Sequence, residues 1–106
     1  MNTVPAAIAR VLIVDRNEDL LELFSFFLES RGFNVRTAPS GTLALTCAAE
    51  FAPHAVFASL RVGELDGYML AKELRKLPQT ENSTLVAMSA YATKVWKRTR
   101  LDSITI

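Results

Sequence analysis

The sequence predicts an α/β three-layer sandwich, a parallel β-sheet with helices on both faces. Three observations predict it. Short apolar runs alternate along the chain with longer segments whose apolar residues recur every three or four positions. The first run, Val11-Leu12-Ile13-Val14, is apolar without alternation, as a strand buried on both faces of a sheet must be. Capping residues, glycines and prolines mark the ends of the helical segments. Strands alternating with helices imply right-handed crossovers and therefore parallel pairing.

The elements follow in order. After the Val11–Val14 strand, residues from Asn17 to Arg31 turn helical, with Leu20, Leu23, Phe24, Phe27 and Leu28 setting the apolar face. Asn17 suits the helix start and Gly32 its end. Phe33 to Thr37 reads as a second strand. Ser40 caps a helix running to about Phe51, and Pro53 closes it. Ala55 to Ser59 is a third strand and 60–67 a loop. Tyr68 to Leu77 is a third helix with Leu70, Leu74 and Leu77 on one face, ended by Pro78. Thr84 to Ala90 is a fourth strand, Thr93 to Arg100 a helix, and Ser103 to Ile106 a short fifth strand.

The 106 residues are enough for one domain, spanning 1–106, and half of them are hydrophobic, which allows a modest core. A formal charge of +1 gives no general attraction to nucleic acid, membrane or acidic substrates. No apolar stretch spans a bilayer and no signal peptide is visible. The one cysteine, Cys47, forms no internal disulfide and reads as a small core residue. These features predict a cytoplasmic protein.

In sheets of this kind the working site lies at the carboxyl ends of the strands. That rule selects Asp15 and Arg16 after strand one, Ser59 after strand three, and Ser89 and Ala90 after strand four. The stretch Val11-Leu12-Ile13-Val14-Asp15-Arg16-Asn17-Glu18-Asp19 is similar to the opening of a known family, whose first strand ends in two adjacent acids. Leu65-Asp66-Gly67-Tyr68 is similar to that family's turn into the third helix. Seven residues before Asp66 stands Ser59, where the family carries its phosphoacceptor aspartate. Val86-Ala87-Met88-Ser89-Ala90-Tyr91 is similar to its fourth strand, with the switch hydroxyl falling on Ser89. Leu70-Ala71-Lys72-Glu73-Leu74-Arg75 and the Ser40-Gly41 helix start also fit. The chain thus resembles the receiver domain of bacterial two-component response regulators, the CheY-like superfamily, over about residues 9–94; residues 95–106 diverge. The resemblance implies a flavodoxin-like sheet of order 2-1-3-4-5, altered or truncated after strand 4.

It also implies a chemistry. In the family, the paired acids and the acceptor hold Mg2+, a cation that wants several oxygen ligands, and the acceptor forms an acyl phosphate. Here Asp15 is kept, the second acid is Arg16, the acceptor position is Ser59, and the lysine expected after strand 5 is absent. A guanidinium beside Asp15 would repel a divalent cation, pairing with Asp15 or lying on the surface. Mg2+ binding is therefore expected to be weak or lost. A serine has no carboxylate to phosphorylate, and the one histidine, His54, lies at the opposite end of the strand from Ser59. No catalytic residue is predicted.

The other charged residues have plainer readings. Asp66 and Glu64 suit a turn, His54 a surface position, and Glu18 and Asp19 a helix start, although these acids offer a partial replacement for the missing one. Lys94, Lys97, Arg98 and Arg100 with Trp96 fit a solvated helix face better than a nucleic-acid site.

The resemblance and its departures predict a degenerate receiver that is not an enzyme and acts by contact with a protein partner in a signalling assembly. The alternative is a receiver that switches through another ligand or an unconventional phosphosite. A flavodoxin-like cofactor binder fits less well, because Asp15 to Asp19 is acidic and lacks the glycines that cradle phosphate. The family's last helix is not encoded, and its loss would uncover apolar residues of helix one and the sheet. That predicts self-association, docking on another chain, or marginal stability.

Overall fold

The computed structural model describes residues 9–59, 67–88 and 104–105. The elements are β1 (Arg10–Val14), α1 (Glu18–Glu29), β2 (Asn34–Ala38), α2 (Gly41–Phe51), β3 (Ala55–Ser59), α3 (Gly67–Lys76), β4 (Thr84–Met88) and β5 (Ile104–Thr105). They form one sheet in the order β2-β1-β3-β4-β5, with each neighbouring pair parallel. The predicted order and layering are both present. The predicted helix over 93–100 lies outside the described residues.

Side chains alternate between the two faces of the sheet. Leu12, Val14, Val56, Ala58 and Leu85 face α2 and α3, and meet Ala44, Ala48, Leu70 and Leu74 in the larger core cluster. Val11 and Ile13 face the other way and meet Leu21 of α1. This division follows from chain order. The step from β1 to β2 runs in one direction across the sheet and the steps from β2 to β3 and β3 to β4 run in the other, so right-handed crossovers put α1 on the face opposite α2 and α3. Leu77 and Cys47 are only partly buried, packed against the larger cluster.

Local chemistry sets the helix ends. Asn17 accepts from the backbone N–H groups of Asp19 and Leu20 at 2.9 and 3.2 Å, and Ser40 accepts from Leu43 N–H at 3.2 Å. At the end of α1, Gly32 adopts φ +95°. Its N–H donates to Glu29 and that of Phe33 to Leu28, a pairing that requires the left-handed residue. Helix α2 ends at Phe51, as expected, and its C-cap Ala52 holds φ 49°. Arg10 compensates there: its Nε donates to the Phe51 and Ala52 carbonyls at 2.9 and 3.0 Å, and its Nη2 to Ala52 at 2.7 Å. Under the sheet, the buried Thr80 donates its hydroxyl to the Leu74 carbonyl and Ser83 donates to that of Pro53 at 2.6 Å, so neither buried hydroxyl is left unsatisfied.

One expectation needs correcting. The periodicity of α1 placed Leu23 and Phe27 with the inward residues, but they are 64% and 49% exposed, and the fully buried residue of the helix is Leu21. No helix among the described residues is long and apolar enough to cross a membrane.

Candidate functional site

The sheet register assembles the site. Strands β1 and β3 pair from Val11↔Ala55 to Val14↔Ala58. Asp15 and Ser59 each stand one residue beyond the last of these pairs, so the two chain ends are neighbours at the carboxyl edge, one strand spacing apart (about 4.8 Å). On the other side of β3, Ser59 pairs with Met88, the last residue of β4. Asp15 and Ser59, two of the residues chosen from the sequence, are thus brought together. Ser89, and with it Ala90, Asp66 and Glu64, lies outside the described residues.

Asp15 is half-buried. Its backbone N–H donates to Ala38 at the end of β2, at 3.1 Å, which fixes the strand exit. Its Oδ1 accepts the Asn17 N–H at 2.8 Å. The same Asn17 then caps α1, so Asp15 and Asn17 form a relay that turns the chain from strand to helix. Half of the Asp15 carboxylate is therefore occupied by local structure. Arg16, between the two, is exposed and makes no ion pair with Asp15. Ser59 is half-buried.

Glu18 and Glu22 do not join Asp15 over the β1–β3 seam. They line an open groove between α1 and the end of β2, with Thr37 and Pro39 on its far wall. Among the described residues, no group of three His, Cys, Asp or Glu side chains is placed to hold a metal ion. Among the described residues, the side-chain oxygens that the register brings to the seam are the Asp15 carboxylate, one oxygen of which already holds the Asn17 N–H, and the Ser59 hydroxyl.

His54 is exposed at the opposite edge of the sheet, where its Nδ1 accepts the backbone N–H of Arg10 at 2.9 Å. That bond, like the Arg10–Ala52 contacts, was not visible in the sequence, because it joins residues 44 apart. Two further features were missed. One is the Glu18–Thr37 groove. The other is an apolar cavity of about 200 Å³ on the α1 side, lined by Ile13, Phe24, Phe27, Leu28 and Phe57. The aromatic residues of 24–28 were the only sequence signal for the second.

Comparison with known proteins agrees with this architecture. A family model described as response regulator receiver domain matches residues 11–103. An uncharacterized 14.6 kDa protein of Leptolyngbya boryana is 31% identical over 93 residues, covering 88% of this chain and 71% of that protein. The regulatory protein AtoC of Escherichia coli is 33% identical over 86 residues, 81% of this chain, but the match spans only 18% of AtoC. Among solved structures, a CheY-like receiver domain from Methylobacillus flagellatus superposes with a TM-score of 0.74 at 34% identity, covering 79% of this chain and 71% of that one. The strand order, the acid at the end of β1 and the extent of these matches lead to one assignment: the chain belongs to the response regulator receiver domain family of two-component signalling.

Proposed function

We propose that this chain is a degenerate receiver, a signalling module that does not pass through an aspartyl phosphate and works by contact with a protein partner. The observation that carries this reading is Ser59 at the carboxyl end of β3, beside Asp15, where the resemblance calls for the acceptor aspartate. An acyl phosphate needs a carboxylate nucleophile, and a serine hydroxyl cannot supply one. Serine also needs a neighbouring base to become a nucleophile. His54 stands at the other end of the same strand, on the exposed edge.

The metal argument supports the same reading. Asp15 is the one carboxylate at the β1–β3 seam among the described residues, and one of its oxygens already holds the Asn17 N–H. Arg16 brings a fixed positive charge next to it in sequence. A divalent cation therefore meets fewer oxygen donors and less negative charge than three carboxylates would offer. With the metal and the acceptor both weakened, the remaining output is the surface of the folded module.

Incubation with Mg2+ and a small-molecule phosphodonor, followed by intact-mass measurement, tests the proposal. An active receiver treated in parallel must gain one phosphoryl group. This chain is expected to keep its unmodified mass. A gain of one phosphoryl group that is lost under mild alkali would overturn the reading, because only a carboxylate acceptor behaves that way.

A further inference from the structure

The amino ends of β1, β3 and β4 meet at the edge of the sheet opposite Asp15 and Ser59, and His54 stands at their junction. Its backbone is tied on both sides. Its N–H donates to the Arg10 carbonyl at 2.8 Å, and its carbonyl accepts the Thr84 N–H at 2.9 Å. Its side chain adds a third link, because Nδ1 accepts the Arg10 backbone N–H at 2.9 Å. The two backbone links do not depend on charge, but the ring link does. A neutral imidazole has one acceptor nitrogen and an imidazolium has none. A protonated ring sets an N–H against the N–H of Arg10, so it must turn away and leave that amide without its partner.

The surroundings do not offset the added proton. A helix C-terminus ordinarily favours a nearby cation, and α2 ends two residues before His54. Its last carbonyls, Phe51 and Ala52, are already taken by the Arg10 guanidinium at 2.7 to 3.0 Å. From β2, Arg36 lies over the Phe51 ring at 4.7 Å. From α3, Arg75 donates to the Thr80 and Glu81 carbonyls in the turn before β4. The acids of these elements are Glu50 in the last turn of α2 and Glu81 in that same turn before β4. Both are exposed, and neither forms an ion pair with His54 within the described part of the chain. The charge held closest to the His54 link is thus the positive one of Arg10.

We propose that His54 makes the amino edge of the sheet an acid-sensitive clasp between β1 and β3. Histidine changes charge between about pH 5 and pH 8. At the upper end of that range the ring is neutral and holds the Arg10 amide; toward the lower end it takes a proton and lets go. The sign follows from which state accepts the proton. The unfolded chain accepts it freely and the closed clasp does not, so the link is present at high pH and lost as pH falls. Release is local, because the β1–β3 pairs from Val11 onward involve no titrating group. It reaches the first residue of β1 and, through the Arg10 side chain, the end of α2. The clasp uses nothing at Asp15 or Ser59, and it holds or fails separately from the loss of phosphotransfer.

Amide hydrogen exchange of Arg10 tests the clasp, expressed as protection relative to an unstructured chain and measured at about pH 8 and pH 5. Wild type is expected to lose protection about three- to tenfold at the lower pH, the scale of one hydrogen bond. His54→Asn places an acceptor oxygen that does not titrate near the same N–H, and is expected to show no acid-dependent loss. His54→Ala removes the acceptor, and should show low protection at both pH values. His54 is exposed, so both variants fold, and circular dichroism checks this. Equal wild-type protection at the two pH values would overturn the proposal. So would an acid loss in His54→Asn as large as that of wild type, which assigns the effect to another group, or full protection of the Arg10 amide in His54→Ala.

Discussion

The guanidinium of Arg10 meets the carbonyl of Ala52 at 2.7 Å, joining the first residue of β1 to the end of α2 across 42 positions. The last carbonyls of a helix have no partners within it, and here a planar cation supplies them. Arg10→Ala removes three hydrogen bonds and a favourable charge at a helix C-terminus. The expected destabilisation is about 1–3 kcal/mol. Arg10→Lys keeps the charge but not the fork, and should fall between wild type and alanine. Urea unfolding of the three proteins gives the ranking.

Ala52 itself sits at φ 49°, a conformation that an L-residue adopts at an expense of about 1–2 kcal/mol. Glycine removes that strain while gaining disorder in the unfolded chain. Ala52→Gly should therefore raise the unfolding free energy by about 0.5–1 kcal/mol. A drop in the urea midpoint would mean that the methyl group contributes packing that outweighs the strain.

Leu70 and Leu74 are 0% and 1% exposed in the cluster beneath β1 and β3. Truncating either to alanine should lower stability by about 2–5 kcal/mol. Phe26→Ala, at a position 73% exposed, should stay within about 0.5 kcal/mol of wild type. Equal losses at all three positions would contradict the assigned orientation of α1.

Restoring carboxylates should restore chemistry if Ser59 has been placed correctly. Ser59→Asp combined with Arg16→Asp puts an acceptor and the second acid beside Asp15. With Mg2+ and a small-molecule phosphodonor, the double variant is expected to gain one phosphoryl group, released by mild alkali, while Ser59→Asp alone gains it more slowly. No gain in either protein, with both folded by circular dichroism, would argue that Ser59 is not the acceptor position.

The sheet was legible because each of its signals is local. Val11 to Val14 is apolar at every position, so it could only be a strand covered on both faces, and it is the strand flanked by β2 and β3. Asn17 and Ser40 cap the helices that their chemistry announced. Asp15 and Ser59 met because both end strands, and strand ends share an edge in a parallel sheet. What stayed hidden was of two kinds. The phase of α1 could not be read, since apolar residues occupy more than half of its circumference and any of several faces would have served as the inner one. The contacts of Arg10 with Phe51, Ala52 and His54 join distant residues, and nothing near Arg10 in sequence distinguishes it from a surface cation.

The position of β1 has a consequence during synthesis. It is made before the other strands of this sheet, yet it is an inner strand of the finished one. Its pairing with β2 needs residues 34–38, and its other edge stays open until residues 55–58 emerge. At about 5–20 residues per second, the 44 residues between Arg10 and His54 take roughly 2–9 s to translate. For that time, a nascent chain bearing Val11-Leu12-Ile13-Val14 presents an unpaired, β-prone edge. The segment left open during that time is thus one that ends up buried on both faces of the sheet.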